Sequence, residues 1–332
     1  MKPERVDKTA GAGRLVAVVV THNRLAQLQQ TVPALLSHPA SQLEAVIVVD
    51  NASSDGTQDW LEGQDDPRLH VMRSEVNGGG AQGFALGMER AVTRFAPDWL
   101  VLMDDDARPE PGALADFHAM DLSHWDAVAA AVYFPNGEIC EMNRPSRNPF
   151  WHAPEFFRTL FGGGRSGFHL RPQDYEASAP RAIEVTSFVG FFISADAVAR
   201  AGYPDPGLFL YGDDGLYTLE MTRAGGRIGF APTVRFVHDL STFTGQRGRF
   251  RPLWKLYYYH RNLLMLYRLA AGWLFWPSLL IVLPKWALKA RDHRGESGVF
   301  WALMLRAVRD GLLRRTDVPH DSVLGWAGDA KR

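Results

Sequence analysis

The chain has 332 residues, of which 46% are hydrophobic and 22% are charged, and its formal net charge is −1. This composition is typical of a globular protein with one large α/β domain or two domains, and the charge argues against a nucleic-acid-binding protein. The single cysteine, Cys140, excludes an intrachain disulfide framework and a cysteine-based zinc site, so we expect a cytoplasmic location. Residues 1–13 are polar and lack an apolar signal core, which predicts a disordered leader.

Strands and helices alternate over the first hundred residues. Short apolar runs predict strands at 15–20, 44–50, 69–73 and 99–103, and helical spacing predicts helices at 25–36, 58–61 and 84–94. This alternation indicates βαβ units and an α/β fold with a mostly parallel, Rossmann-like sheet flanked by helices.

Polar residues follow the predicted strands at the point where each strand ends. Thr21, Asp50, Asn77 and the run 104–106 all stand at such exits. Because ligands of open α/β sheets bind beyond the carboxyl ends of the strands, these side chains are predicted to share one crevice.

The triplet Asp104-Asp105-Asp106 comes directly after a buried apolar run. Three adjacent carboxylates repel one another unless they share a cation, and Mn²⁺ or Mg²⁺ is the usual hard cation at oxygen ligands. Asp104 and Asp106 are the predicted ligands, with His238 at a later strand end as a third. The alternatives are a solvated acidic turn and a structural histidine.

A second acid pair, Asp213-Asp214, follows the apolar run 208–210 and precedes a predicted helix at 215–224. A carboxylate that holds no metal could deprotonate an attacking hydroxyl, and a like-charged neighbour raises one of the two pKa values. The pair could instead only cap the helix. Reasoning from the residues does not choose between the two acids.

The glycine-rich stretch 78–83 fits the pattern G-x-G-x-x-G, which is typical of dinucleotide-binding oxidoreductases. That pattern belongs after the first strand of such a sheet, whereas here the first strand leads into Thr21-His22-Asn23-Arg24. A nucleophilic hydrolase is also disfavoured, because the chain contains no G-x-S-x-G motif.

Beyond residue 140 the pattern is less regular. Residues 142–180 are rich in Pro, Gly, Arg and aromatic residues, which predicts long loops with short helical pieces, inserted between sheet elements and suited to binding a substrate. A strand-like run covers 183–194, a helix is predicted at 196–201, and short strands are predicted at 227–230 and 233–237.

The last third of the chain is aromatic and apolar. Its longest uncharged run, 269–284, is shorter than the ~20 residues of a membrane-spanning helix and contains two prolines, so a span is disfavoured. Three tryptophans near basic residues favour an interfacial segment instead: Trp273, Trp276 and Trp286. Residues 300–315 form a second amphipathic candidate. Core packing or a dimer contact is the alternative for both.

Five motifs in this order resemble those of family 2 glycosyltransferases with the GT-A fold, over about residues 15–240. They are V-V-V-T-H-N-R at 18–24, V-V-D-N-A-S-S-D-G-T at 48–57, N-G-G-G-A-Q-G-F at 77–84, M-D-D-D-A at 103–107, and Y-G-D-D at 211–214 followed by His238.

The resemblance implies an inverting transfer from a nucleoside-diphosphate sugar. It places Asp214 as the catalytic base and Asp213 as the residue that orients the acceptor. It assigns Asp104, Asp106 and His238 to the metal. The donor-nucleotide residues that it implies are Thr21, Arg24, Asp50, Asn77, Gly79 and Asp105.

Within the family the glycine run and the Asp triplet are most similar to bacterial galactofuranosyltransferases, which implies UDP-galactofuranose as donor. The acceptor would then be a cell-envelope or lipid-linked glycan. Rhamnosyltransferases that use a dTDP-sugar are the nearest alternative, and a non-catalytic nucleotide- or glycan-binding module is the second. The predicted organisation is a catalytic domain over 14–245, with an acceptor-side insertion at about 142–180, and a helical, amphipathic region over 246–332. The protein is predicted to lie in the cytoplasm, peripheral on the inner face of the cytoplasmic membrane. Homo-oligomerisation is left open.

Overall fold

The computed structural model describes residues 13–240 and 249–328. The predicted leader, apart from Gly13, and the predicted domain boundary at 245–246 lie outside these residues.

The N-terminal part has the predicted alternation of strands and helices. Its elements are β1 (Leu15–Thr21), α1 (Leu25–Leu36), β2 (Ala45–Asp50), α2 (Thr57–Glu62), β3 (Leu69–Arg73), α3 (Gly79–Phe95) and β4 (Trp99–Asp104). The bounds of α1 and β3 are those predicted. Helix α3 begins at Gly79, five residues before the predicted start at 84, so the glycine run forms its first turn.

The middle of the chain alternates short elements with loops. Its helices are α4 (Ala113–Ala119), α5 (Ala153–Arg158), α6 (Pro172–Tyr175), α7 (Ala195–Ala201) and α8 (Asp213–Arg223). Its strands are β5 (Ala107–Pro109), β6 (Ala127–Tyr133), β7 (Arg181–Ile183), β8 (Phe191–Ser194) and β9 (Ile228–His238).

Two strand predictions for this region were wrong. The run at 183–194 is not one strand, because a loop separates β7 from β8. The two strands predicted at 227–230 and 233–237 are a single strand, β9, whose register against β6 shifts at Ala130/Ala131. Residues 142–180 hold only loops and short helical pieces, as predicted.

The described strands form one mixed sheet in the order β3-β2-β1-β4-β8-β6-β9-β5, with β7 also paired to β9. Strands β3, β2, β1 and β4 run parallel, as do β6 and β9, and the remaining neighbours are antiparallel. The predicted mixed α/β sheet is thus confirmed, with its parallel pairing concentrated in the N-terminal half.

Helices cover both faces of the sheet. Alternate residues of β1 enter opposite cores, with Val19 in the core that includes Leu28 of α1, and Val18 in the core that includes Met88 of α3. Burial on both faces explains why these strands read as continuous apolar runs rather than as alternating patterns.

Four further helices follow: α9 (Lys255–Ala271), α10 (Phe275–Leu288), α11 (Ser297–Leu313) and α12 (His320–Ala327). Helices α9 and α11 share a third core that includes buried Tyr257, Leu264, Phe300 and Leu303. The amphipathic segment at 300–315 is therefore packed in this core, which was the alternative to an interfacial location. Trp286 was predicted to be interfacial, but it is buried with its ring 4.6 Å from that of His260.

Candidate active site

The end of strand β9 brings His238 to the Asp triplet. Ala107, just after the triplet, pairs with His238 in the sheet. His238 Nε2 donates to Asp106 Oδ1 at 2.9 Å. One ligand atom each of Asp104, Asp106 and His238 lie within 4.8 Å of one another. The three predicted metal ligands are therefore one cluster.

Two cations of the chain itself balance the triplet. Arg24 Nη1 lies 2.7 Å from Asp106 Oδ2 and 3.2 Å from Asp105 Oδ1. Burial alone would lower the pKa of His238, but its hydrogen bond to Asp106 raises that pKa to about 10, so the imidazole is charged. Burial disfavours ionised Asp106 as well, yet His238 and Arg24 hold its pKa below the usual range.

The middle carboxylate, Asp105, shares Arg24 with Asp106 and has further partners of its own. It is buried and accepts a hydrogen bond from Thr21 Oγ1 at 2.7 Å, while its backbone carbonyl accepts one from Thr31 Oγ1 at 2.7 Å. Burial raises the pKa of Asp105 to about 7 and that of Asp104 to about 6. Asp105, predicted to bind the donor nucleotide, is thus covered by Thr21 and Arg24 and acts on the crevice through them.

Sequence reasoning missed the residue that orients His238. Asn143 Oδ1 accepts a hydrogen bond from His238 Nδ1 at 2.7 Å, and Asn143 Nδ2 donates to Ser187 Oγ at 2.8 Å. Because a protonated imidazole donates from both nitrogens, the amide oxygen of Asn143, and not its nitrogen, faces Nδ1. The pair leaves Nε2 of the imidazole facing Asp106, which is the orientation that ligating histidines take when a carbonyl oxygen holds their other nitrogen.

The donor set fits a hard divalent cation. The carboxylates of Asp104 and Asp106 converge with the imidazole of His238. The charge of the two carboxylates is balanced by the guanidinium of Arg24 and by the proton that His238 carries. A divalent cation can take over that role when His238 loses its proton, because a ligating imidazole must be neutral.

At the end of β2, Asp50 is almost fully buried. Its Oδ1 accepts from the backbone N–H of Ser53 at 2.9 Å, whereas its Oδ2 is buried without a hydrogen-bond partner in the described residues. An unpaired buried carboxylate oxygen is costly, so it is suited to an N–H or O–H group supplied by a ligand.

Asn51, a residue not singled out by the sequence, fastens the glycine turn. Its Nδ2 donates to Gly79 O at 2.8 Å and to Asn77 Oδ1 at 3.1 Å, and its Oδ1 accepts from Gly78 N at 3.0 Å. Gly79 has φ +77°, and an added Cβ would lie 2.0 Å from the backbone oxygen of Phe209. Only glycine therefore fits this close contact with the loop that precedes the acid pair.

Asp213 and Asp214 begin helix α8, after Gly212 at φ +74°. Asp213 is buried, whereas Asp214 is half-buried with its Oδ1 accepting from Gly215 N at 2.6 Å. Burial, together with the charge of Asp104, raises the pKa of Asp214 to about 6. Burial and the charge of Asp214 raise the pKa of Asp213 well above its usual range. The charge of Asp104 in the triplet therefore raises the pKa values of both acids of the pair.

Comparison with known proteins identifies the class of this molecule. The TarS 1–349 structure from S. aureus aligns with a TM-score of 0.55 at 14% identity, covering 96% of this chain and 88% of that one. The mannosyltransferase PcManGT from Pyrobaculum calidifontis, in complex with GDP-Man and Mn²⁺, aligns with a TM-score of 0.50 at 16% identity, covering 94% and 92%. The fold is the GT-A fold of glycosyltransferases.

Sequence comparison narrows this to a family. Residues 16–172 match Glycosyl transferase family 2. Over 227 residues the chain is 31% identical to galactofuranosyltransferase GlfT1 from Mycolicibacterium smegmatis (strain ATCC 700084 / mc(2)155). This alignment covers 68% of this chain and 71% of that relative. The chain belongs to glycosyltransferase family 2 and is a transferase enzyme.

Proposed function

We propose that this enzyme is an inverting, metal-dependent glycosyltransferase that moves galactofuranose from UDP-galactofuranose to a hydroxyl of a cell-envelope or lipid-linked glycan. The observation that carries the mechanism is the convergence of Asp104, Asp106 and His238 within 4.8 Å, with Asp214 near enough for the charge of Asp104 to raise its pKa. It supports a base on one side of the anomeric carbon and a cation-binding cluster on the other. The relative named as a galactofuranosyltransferase supports the donor.

Asp214 is the proposed base. It is the more exposed acid of the pair, and with a pKa raised by burial to about 6 it is ionised at neutral pH. It accepts the proton of the acceptor hydroxyl while that oxygen attacks the anomeric carbon from the face opposite the diphosphate, which inverts the configuration. Asp213, whose pKa is raised well above its usual range by burial and by the charge of Asp214, orients the acceptor.

The leaving diphosphate needs positive charge on its side of the crevice. Asp104, Asp106 and His238 would hold Mn²⁺ or Mg²⁺, which when bound supplies charge to stabilise a diphosphate leaving group. Arg24 adds a guanidinium at the same place. Positive charge that is held in place before the reaction usually accelerates such a transfer more than any other single effect.

The nucleotide lies over the ends of the parallel strands in this proposal. The free oxygen of Asp50 accepts a hydrogen bond from the base, with Thr21 nearby. Asn77 and Gly79 line the ribose and phosphate side, where the turn held by Asn51 allows close approach of a ligand.

The experiment is calorimetric titration of UDP and dTDP into the protein, with Mn²⁺ and with chelator, followed by a transfer assay with UDP-galactofuranose. We expect metal-dependent binding of UDP well above that of dTDP, and transfer to a lipid-linked acceptor. A preference for dTDP would replace the donor by dTDP-rhamnose. Binding without turnover would favour the non-catalytic module, and no binding of either nucleotide would overturn the site.

Helix α10 supports a location at a lipid surface. Trp276, Leu280 and Leu288 recur at helical spacing on an exposed face, and Leu280 is 80% exposed. The helical stretch Lys255–His293 is long and apolar enough to cross a membrane by length and composition alone, and only 17% of its most apolar window is buried. A core helix of a soluble protein would be mostly buried.

Charge favours an anionic lipid surface as the occupant of this face rather than a second copy of the chain. Lys285, Arg291 and Arg294 are exposed along and just beyond α10. Phe157 and Phe161 of the insertion are exposed as well, and the insertion reaches the end of α9 through Asn148 Nδ2, which donates to Ala270 O at 3.0 Å. Tryptophan and leucine beside Lys and Arg suit the interface of an anionic bilayer.

Co-sedimentation with vesicles tests this location. We expect binding to vesicles that contain phosphatidylglycerol, weaker binding to phosphatidylcholine alone, and loss of binding in the Trp276→Ser/Leu280→Ser double variant. Leu313→Ser, at a site 65% exposed on α11, is the matched control. A dimer in sedimentation velocity that the double variant abolishes, without vesicle binding, would show that the face is a contact between two copies.

A further inference from the structure

A buried arginine and asparagine on helix α9 contact the loop that precedes the acid pair. Arg261 and Asn262 are both fully buried, although arginine and asparagine are mostly exposed in proteins. The loop, residues 207–212, lies about fifty residues away in the chain and leads directly into Asp213.

The two side chains hold this loop by its backbone carbonyls. Arg261 Nη2 donates to Gly207 O at 2.8 Å and to Leu208 O at 2.9 Å. Asn262 Nδ2 lies 2.7 Å from Tyr211 O, 2.9 Å from Leu208 O and 3.1 Å from Leu210 O. Arg261 Nε donates to Asn262 Oδ1 at 2.8 Å, so the two side chains act together. We refer to Arg261 and Asn262 as the α9 clamp.

The loop needs such support because its backbone is strained. Phe209 has φ +65° and Tyr211 has φ +67°, positive values that bulky residues avoid. Strained residues of this kind persist only where their surroundings over-determine them, and they cluster at active sites. Without the clamp the loop would relax toward ordinary backbone angles and move Asp213 and Asp214.

The same loop also contacts the donor side of the crevice. Phe209 O accepts from Ala81 N at 3.3 Å, next to Gly79. The Phe209 ring stacks on Tyr258, with ring centroids 4.6 Å apart, and on His320, at 4.1 Å. The loop is thus held between the glycine turn and the C-terminal helices, which fixes the distance from donor to base.

The charge of Arg261 is costly to bury. In the described part of the chain no carboxylate lies within 4 Å of its guanidinium, and its partners are carbonyls, Asn262, and the rings of Tyr257 and Tyr258 at 5.3 and 5.1 Å. An apolar side chain would remove the hydrogen bonds to Gly207 O and Leu208 O, so the buried charge is tied to the shape of this loop.

We propose that Arg261 and Asn262 are positioning residues for the transfer reaction, which hold the loop so that Asp214 reaches the acceptor hydroxyl. The inference rests on the proposed function for its catalytic consequence. A misplacement of about 1 Å is enough to lower turnover strongly, even when the substrate still binds.

The test compares Arg261→Lys and Asn262→Ala with wild type, and uses Arg268→Lys as the matched control. Arg268 lies on the same helix and also donates to a backbone carbonyl, Leu312 O at 3.1 Å, away from the loop. Four quantities are measured: kcat for sugar transfer, the affinity for UDP with Mn²⁺, the melting temperature, and hydrogen–deuterium exchange of residues 208–215.

For both clamp variants we expect kcat to fall by about tenfold or more, while the UDP affinity stays within about threefold of wild type. Exchange at 208–215 rises in the clamp variants, whereas exchange in α1 stays as in wild type. All properties of Arg268→Lys also stay as in wild type. If Asn262→Ala does not fold, the Arg261→Lys variant alone tests the proposal. It keeps the positive charge but loses the planar set of N–H donors of the guanidinium.

Unchanged kcat in folded Arg261→Lys would overturn the proposal. So would parallel losses of kcat, UDP affinity and melting temperature, because those indicate general destabilisation. Wild-type protein that binds UDP but transfers no sugar would instead contradict the proposed function, and the exchange data would still decide whether the clamp holds the loop.

Discussion

The two sides of the crevice are built in different ways. The side that we propose binds the nucleotide, called the nucleotide side below, consists of adjacent ends of parallel strands. There Thr21, Asp50 and Asn51 contact partners on the next strand or turn. The acid side consists of an irregular loop and the first turn of α8, held by Arg261 and Asn262 from a distant helix. Local sequence motifs are enough to build the first side, whereas the second depends on correct docking of the C-terminal helices.

The largest expected effect is on the acid side. Asp214→Asn should lower kcat by about a thousandfold, because the amide cannot accept the proton of the attacking hydroxyl. The UDP affinity should stay near that of wild type, since the nucleotide lies on the other side of the crevice. Steady-state kinetics and calorimetry check this, and a variant with near-normal turnover would show that another residue is the base.

The corresponding change on the nucleotide side should affect binding. Asp106→Asn should weaken UDP binding in the presence of Mn²⁺ by about ten- to a hundredfold, because a carboxylate of the cation cluster is lost. With chelator the two proteins should bind UDP alike. Glu110→Gln, which removes a carboxylate paired with Arg235 at 3.1 Å outside the cluster, is the control. Equal losses with and without metal would argue against Asp106 as a ligand.

The contact between the two sides can be broken at a single glycine. Gly79→Ala should lower the free energy of unfolding by about 3 kcal/mol, because the new Cβ meets Phe209 O at 2.0 Å in a backbone with φ +77°. Gly80→Ala meets nothing within 4 Å and should be neutral or stabilise the helix by about 0.5–1 kcal/mol. Chemical denaturation measures both. Equal stabilities of the two variants would mean that the close contact is absent.

The smallest expected effect concerns helix α9 itself. Burial lowers the pKa of His260 from 6.5 to about 3, so the folded protein holds it neutral while the unfolded chain binds a proton below pH 6.5. The stability that His260 contributes is therefore complete above pH 6.5 and is lost as the pH falls toward 3. Between pH 7 and pH 5 wild type should lose about 2 kcal/mol more than His260→Gln.

That comparison uses denaturation at several pH values. The buried acids with raised pKa values act in the opposite direction, but they are present in both proteins and cancel in the difference. Identical pH profiles for wild type and His260→Gln would contradict the burial of this imidazole.

The difference between the two sides of the crevice also explains which features could be predicted from the sequence. Strands β1 to β4 and their polar exits follow from apolar runs and turn residues, and the Asp triplet with His238 follows from the chemistry of carboxylates and imidazole. Strand β6 was missed because its sequence, AVAAAVY, is mostly alanine, a helix-favouring residue, and only burial in the middle of the sheet makes it a strand.

Long-range partners were beyond the sequence for a different reason. Asn143 meets His238 across 95 residues, and Asn262 meets Tyr211 across 51. No periodicity or spacing encodes such meetings. Trp286 was misplaced on similar grounds, since its neighbours in the chain are exposed and only the packing of α10 on His260 buries it.

The position of Arg24 beside the triplet has a consequence for how the protein folds and persists in the cell. Because its guanidinium and the imidazolium of His238 neutralise Asp106, the polypeptide brings its own counterions to the triplet. We therefore expect a newly made chain to fold and to remain intact in metal-poor surroundings. In the proposed mechanism, the supply of Mn²⁺ or Mg²⁺ would then regulate how fast the reaction runs and leave the abundance of the protein untouched.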